Sequence, residues 1–181
     1  IIGNGLSAWS VANAFINKNV QITIIGKKKS IFGAQQLSPN GFKALKKLTE
    51  NDEIKNIIYE IIQFQINSTN NNKTKNLKNF YFNEFDLKYY SVSREMLINF
   101  LIKNIKNKIE IKEVNRSCVG IIQRNTEKFD VLLDNEELIS ADVIIGADGV
   151  NGVTRKHVCG TTNVIRKKVY RGISNDKNKL L

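Results

Sequence analysis

The sequence predicts an α/β fold, a doubly wound sheet with helices packed on parallel strands. Three observations carry this. An apolar pair, Ile1-Ile2, runs into a glycine turn and then into an apolar helical face. A β-branched run, Val20, Ile22, Ile24 and Ile25, follows that helix. Near the other end Val143-Ile144-Ile145 reads as a buried strand that stops at Gly146-Ala147-Asp148-Gly149. Strand–helix–strand at the start and a parallel-type strand later give a parallel sheet.

The elements follow in order. Leu6, Ala8, Trp9, Val11, Ala12, Phe15 and Ile16 cover one face of the first helix. Ser38-Pro39 opens a second helix, with Ser as N-cap and Pro at the first helical position, and Phe42, Leu45 and Leu48 form its stripe. Ile54, Ile57, Ile58, Ile61 and Ile62 recur at helical spacing and predict a third helix. From Asn67 to Asn79 the chain is rich in Asn, Lys, Thr and Ser, the composition of a loop or hairpin tip. Phe80 to Phe82 and Leu87 to Val92 read as strands. Ser93 then caps a helix that buries Leu97, Phe100, Leu101 and Ile105, with Glu95 in its first turn. Short strands are predicted near 109–114, 117–124, 127–133 and 137–139, the last two joined by Asp134-Asn135-Glu136.

Composition narrows the class. The 181 residues support one domain of ordinary size, or one domain and part of another. Abundant aliphatic residues exclude wholesale disorder, and two Cys exclude a disulfide-stapled module. No apolar run reaches the roughly 18 residues of a membrane span. The first residues carry no basic stretch, so no signal peptide and a cytoplasmic, reducing location are expected. A net charge of +11 invites a nucleic-acid reading. However, 22 Lys stand against 6 Arg, beside 24 Asn and 25 Ile, and the lysines are dispersed. That joint excess reflects A/T-rich coding rather than phosphate contact, so no nucleic-acid partner is expected. The chain opens without Met inside an apparent strand, and its far end carries no terminating pattern, so a piece of a longer chain is expected.

The chemistry-bearing pattern begins with Gly3-x-Gly5-x-x-Ala8. The first Gly permits a tight turn, the second lets the backbone approach a pyrophosphate, and the small third residue lets helix and strand pack closely. The helix start then offers free N–H groups to an anion. A dinucleotide site places an acid at the end of the second strand to bond the ribose hydroxyls. Here that position, 23 residues after Gly3, is Gly26. Lys27-Lys28-Lys29 follow and read as a solvated basic turn, with a 2′-phosphate acceptor as the other reading. His157, the only His, reads as surface; no metal site is expected. Cys118 and Cys159 lack paired spacing and read as reduced, and Trp9 reads as helix packing.

Further motifs carry a resemblance. Ser93-Arg94-Glu95-Met96-Leu97 opens a helix, Gly33-Ala34-Gln35-Gln36-Leu37-Ser38-Pro39-Asn40 follows the second strand, and Asp142-x-x-x-Gly146-Ala147-Asp148-Gly149-x-x-Gly152-x-x-Arg155 ends the strand region. With Val169-Tyr170-Arg171-Gly172-Ile173, they resemble the FAD-dependent aromatic-ring hydroxylases of the p-hydroxybenzoate hydroxylase type. Salicylate-hydroxylase-like and ubiquinone-biosynthesis hydroxylases belong to that group. The resemblance implies a Rossmann-like FAD-binding domain, residues 1–67 and 92–158, interleaved with an incomplete substrate-domain sheet, residues 68–91 and 159–181. Residues 68–91 are then expected to pair with a strand at 165–173. It implies a monooxygenase that hydroxylates a small aromatic substrate using NAD(P)H and O₂, with this piece inactive alone. For a quinone-precursor substrate it implies peripheral membrane association. Flavoproteins of the same fold that act on prenyl lipids, and a nucleotide-binding module without redox activity, are the alternatives.

The implied cofactor residues are Gly3, Gly5, Leu6, Ser7 and Ala8 at the pyrophosphate, Arg94 at the flavin cofactor, and Cys118 through its backbone at adenine. Asp148 and Arg155 are implied for FAD and NAD(P)H. No catalytic side chain is singled out. Two departures stand out: Gly26 replaces the ribose acid, and Gly152 replaces the usual Ser. The family's later Gly-Asp segment does not occur before Leu181.

Overall fold

The structure, a computed structural model, describes residues 1–28, 32–70, 73–82, 88–125 and 127–160. Its organising layer is parallel. Strand β1 (Ile22–Ile25) pairs with β7 (Ile111–Val114), in register from Ile22↔Ile111 to Ile25↔Val114. Ile2 makes parallel bridges to Ile25 on one side and Gly146 on the other. The order across the layer is therefore Gly146, Ile2, β1, β7.

Alternation along β1 separates two cores. Ile22 and Ile24 face a helical core built from helix α1 (Leu6–Ala14) and helix α3 (Arg94–Lys106), with Trp9, Leu97, Leu101 and Ile105 buried. Ile25 and Ile2 face the opposite way, against Val131 and Leu133. Those two belong to an antiparallel sheet ordered β10-β9-β8, from Cys118–Gln123 (β8), Phe129–Leu133 (β9) and Leu138–Ala141 (β10). The prediction of an α/β fold holds. Among the described residues the second face of the parallel layer is covered by this sheet and not by helices, because β8–β10 offer an apolar face that packs on Ile2 and Ile25.

Between β1 and α3 the chain builds a separate sheet, order β2-β6-β3, from Ala34–Leu37 (β2), Ile58–Ile61 (β3) and Tyr89–Ser93 (β6). Helix α2 (Pro39–Thr49) follows β2, its Ser38 cap accepting the Gly41 N–H as predicted. Strands β4 (Gln63–Asn70) and β5 (Lys73–Tyr81) form an antiparallel hairpin. Positions 67 and 91, where the sequence suggested leaving and re-entering the first layer, lie within β4 and β6. The predicted partner strand 165–173 lies outside the described residues, as does the segment 161–181.

Two expectations need correction. The third helix is instead a 3₁₀ turn, Asp52–Asn56, followed by β3. The Ile pairs fit both periods, but β-branched residues lose rotamer freedom in a helix, and the β6 edge offers ladder partners from Ile58↔Val92 to Ile61↔Tyr89. Val143–Ile145 is not a buried strand. Val143 is 72% exposed, and only the Ile145 carbonyl and the Ala147 N–H reach Ile2. Of the two readings of the polar stretch 67–79, loop or hairpin tip, the hairpin holds: the ladder pairs Asn67↔Asn76 through Asn70↔Lys73. Strand β2 had no signal beyond its position before Ser38.

Two buried polar side chains, Asn13 and Asp130, are held by several partners each. The Asn13 amide donates to the carbonyls of Trp9 (2.8 Å) and Leu101 (3.0 Å) and accepts from Asn104 (2.7 Å), tying α1 to α3. Asp130, 3% exposed, accepts from Ser140 Oγ at 2.6 Å and from Arg124 Nε. These donors, Ser140 first and then Arg124, hold its carboxyl below the ordinary carboxylate value. A depressed acid stabilises the fold above its unfolded pKa, and that contribution is lost as pH falls through the folded value. The denaturation midpoint should therefore drop below about pH 4 more steeply than in Asp130→Asn. Equal acid limbs in urea titrations across pH would remove Asp130 from this account.

Candidate functional site: a glycine turn facing a cleft

The turn between Ile2 and α1 is fixed by backbone geometry. Gly3 has φ +122°, a region that side chains disfavour, and a Cβ there would overlap the Ala147 carbonyl. The Gly3 N–H donates to Ile25 O at 2.7 Å, and the Ala147 N–H donates to Ile2 O at 2.7 Å. The turn is thus held from both sides. Gly5 is the N-cap of α1 with φ −109°, open to any residue, and a Cβ there would meet nothing within 4 Å. It points into open space. Helix α1 has no capping side chain and no acid in its first turn, so the Leu6, Ser7 and Ala8 N–H groups have no partner within the helix.

That space is a cleft of about 760 Å³. Gly3, Gly5, Leu6, Ser7, Arg94, Cys118 and Asp148, seven of the predicted site residues, all line it. Two predicted residues do not. Ala8 is fully buried, and its small side chain serves the packing of α1. Arg155 lies on α4 (Val153–Cys159), where its Nη1 donates to Val150 O at 3.4 Å. His157 is exposed, as expected.

Arg94 is the first residue of α3, after the Ser93 cap, and its N–H donates to Gly33 O at 3.0 Å. Its Nε is buried with no hydrogen-bond partner. A cation at a helix N-terminus is electrostatically unfavourable, and an unmet buried donor costs roughly 1–3 kcal/mol. An anion in the cleft would relieve both. Cys118 contributes no reactive thiol: its Sγ donates to Gly120 O at 3.4 Å, and burial pushes the thiol up.

Asp148 caps α4. Its carboxylate accepts from the Thr154 N–H at 3.1 Å and from Thr154 Oγ1. A Cβ at Gly152 would overlap that carboxylate, so the departure from Ser at 152 has a steric reason. Gly26 has one too: a Cβ there would lie 2.9 Å from Gly3 C and Asn4 N. Of the basic turn, Lys27 pairs with Asp134 at 2.6 Å and Lys28 with Glu113 at 3.2 Å, so both are engaged at the surface; Lys29 lies outside the described residues. Asn4 was not anticipated. Its Nδ2 donates to Gly26 O at 3.0 Å, and its Oδ1 accepts from Trp9 Nε1 at 2.8 Å. Its place between two glycines was the only sequence signal.

Among the described residues no cluster of His, Cys, Asp and Glu could hold a metal, and no helix is long and apolar enough to cross a membrane.

No family model and no curated protein sequence matches the chain. Solved structures do. PqsL from Pseudomonas aeruginosa, described as a probable FAD-dependent monooxygenase, superposes over 92% of this chain and 46% of its own, with TM-score 0.73 and 14% identity. Its complex with 2-aminobenzoylacetate gives TM-score 0.74. The tetrameric form of 2-methyl-3-hydroxypyridine-5-carboxylic acid oxygenase superposes over 87% of this chain and 41% of its own, with TM-score 0.67 and 22% identity. At these identities the likeness is one of fold, and the chain spans less than half the length of these neighbours.

The packing at 152 is directly testable. Gly152→Ser should lower the unfolding free energy by about 1–3 kcal/mol, because the new Cβ displaces the Asp148 carboxylate from Thr154. Urea denaturation measures this, and an unchanged midpoint would mean that the cap has room to spare.

Proposed function

We propose that the protein carrying this chain is a FAD-dependent monooxygenase that hydroxylates an aromatic substrate using NAD(P)H and O₂. This chain holds the adenosine diphosphate half of the cofactor. One observation carries the reading: the Gly3–Gly5 turn, clamped between Ile25 and Ala147, presents unpartnered helix N–H groups and the open face of Gly5 to a cleft that also buries the unmet Arg94 Nε. Backbone donors, a helix N-terminus and a fixed guanidinium together suit a pyrophosphate. The shared fold with PqsL and with the pyridine-carboxylate oxygenase supports an oxygenase acting on an aromatic ring.

In this reading the Gly3, Gly5, Leu6 and Ser7 backbone cradles the phosphates. Arg94 offsets their charge, and the Cys118 backbone borders the adenine end. Asp148 keeps the Gly146–Gly149 segment in place through its cap on α4. Bound FAD would supply the electron transfer from NAD(P)H to O₂. The protein's part is to bind and orient it and to exclude water. The parallel layer with α1 and α3 is the Rossmann-like cofactor unit, and the β4–β5 hairpin begins the substrate unit. A nucleotide-binding module without redox activity is the second reading, favoured by the absence of an acid at 26. Flavin absorbance of the purified full-length protein separates the two.

Gly5→Val tests the first reading. Its backbone angles are open to Val and nothing crowds the new Cβ, so thermal stability should fall only by the poorer N-cap, about 1 kcal/mol. The methyl groups should nonetheless fill the pyrophosphate path and weaken FAD binding by about a hundredfold, near 3 kcal/mol. An unchanged FAD dissociation constant in the full-length variant would rule out this turn as the phosphate site.

A further inference from the structure

The missing acid at Gly26 is tied to what the turn does there. The Gly26 N–H donates to Val114 O at 3.0 Å, and its carbonyl accepts from Asn4 Nδ2 at 3.0 Å. Asn4 is in turn held by the indole of Trp9, which is wholly buried. The Asn4 amide therefore latches the turn to the end of β1 and to α1 at once. The turn backbone consequently rests directly on Gly26, where a Cβ would lie 2.9 Å from Gly3 C and Asn4 N and 3.0 Å from Asn4 Cβ. Backbone atoms cannot swing aside as a side-chain end can. A carboxylate at 26 is incompatible with the latched turn.

Among the described residues no other carboxylate of the cleft wall replaces that acid; the wall's remaining polar side chains include the amides of Gln35 and Asn151 and the Ser117 hydroxyl, all neutral. Asp148 is the only carboxylate lining it among the described residues, and both of its oxygens are engaged by Thr154. Asp134, beyond the wall, is paired with Lys27. A carboxylate that hydrogen-bonds a substrate hydroxyl rejects the analogue lacking it, because its charge is left unmet; neutral groups that water can also satisfy discriminate far less.

We propose that Asn4 and Gly26 together set the specificity of this cleft: Asn4 is a positioning residue that locks the phosphate turn onto Gly26, and an adenine nucleotide is held by its phosphates while no carboxylate reads its ribose 2′-position. The inference rests on the reading of the cleft as a dinucleotide site. In the full-length protein freed of FAD, ADP and 2′-deoxy-ADP should bind with dissociation constants within threefold of each other by titration calorimetry. Asn4→Ala should weaken both by about the same factor, on the order of tenfold, because the turn loses its latch to Gly26 and Trp9 together. Asn4→Gln should not restore affinity, since a longer side chain cannot make both bonds from the same backbone position. A preference for ADP over 2′-deoxy-ADP of tenfold or more would overturn the proposal while leaving the dinucleotide site standing. So would an Asn4→Ala effect confined to ADP, which would make Asn4 itself the ribose reader. Failure of the protein to bind FAD or ADP at all would overturn both readings.

Discussion

The short segment Ile1–Gly3, centred on Ile2, is hydrogen-bonded along both edges, and the rest of the site depends on that. The Ile2 N–H donates to Ile145 O at 2.9 Å and its carbonyl accepts from Ala147, while the neighbouring Gly3 N–H and Ile1 O pair with Ile25. This short segment joins three stretches far apart in sequence: residues 1–5, the end of β1, and 145–149. Closing loops of that length costs conformational entropy, which grows slowly with length. Burial of Ile2, Ile24 and Ile25 on the two faces of the layer offsets it. Because the contacts are backbone to backbone at 2.7–2.9 Å, the room left for side chains is small. Gly3 against the Ala147 carbonyl and Gly26 against the turn follow from that one constraint.

The two cores divide the labour. The helical core fixes the direction of α1, and within it the Asn13 amide joins Trp9, Leu101 and Asn104 so that α1 and α3 cannot slide independently. A fully satisfied buried amide specifies one arrangement where aliphatic contacts alone would tolerate several. Since Gly5 starts α1 and Arg94 starts α3, that arrangement also places both helix starts on the same cleft. The smaller core does the same for the opposite wall, holding β8 with Cys118 below the Ile2 segment.

The cleft is lined by two helix starts and Arg94 and, among the described residues, by one carboxylate, Asp148, which Thr154 holds; the acids beyond its wall are paired, Asp134 with Lys27 and Glu113 with Lys28 and Lys106. Among the described residues eight lysines are paired with acids in this way.

The sequence alone determined what depends on neighbours in the chain. The Gly3-x-Gly5 turn, the Ser38-Pro39 and Ser93 caps, the buried stripe of α3 and the strands at 111–114, 118–123 and 129–133 were all legible, because capping and apolar periodicity act over a few residues. Where one pattern satisfied two periods, as at Ile57–Ile62, the outcome fell to the edge of β6, which no local pattern reveals. The structure also decided which cofactor candidates share one cleft, sending Ala8 into the core and leaving Arg155 off the cleft wall. It gave a reason for Gly26 and Gly152, which in the sequence are only departures. At Gly26 the backbone of the distant Gly3–Asn4 turn crowds the place of a Cβ, a close approach that arises only when the segments are packed together; at Gly152 the Asp148 carboxylate, four residues away, occupies it because Thr154 of α4 holds it there.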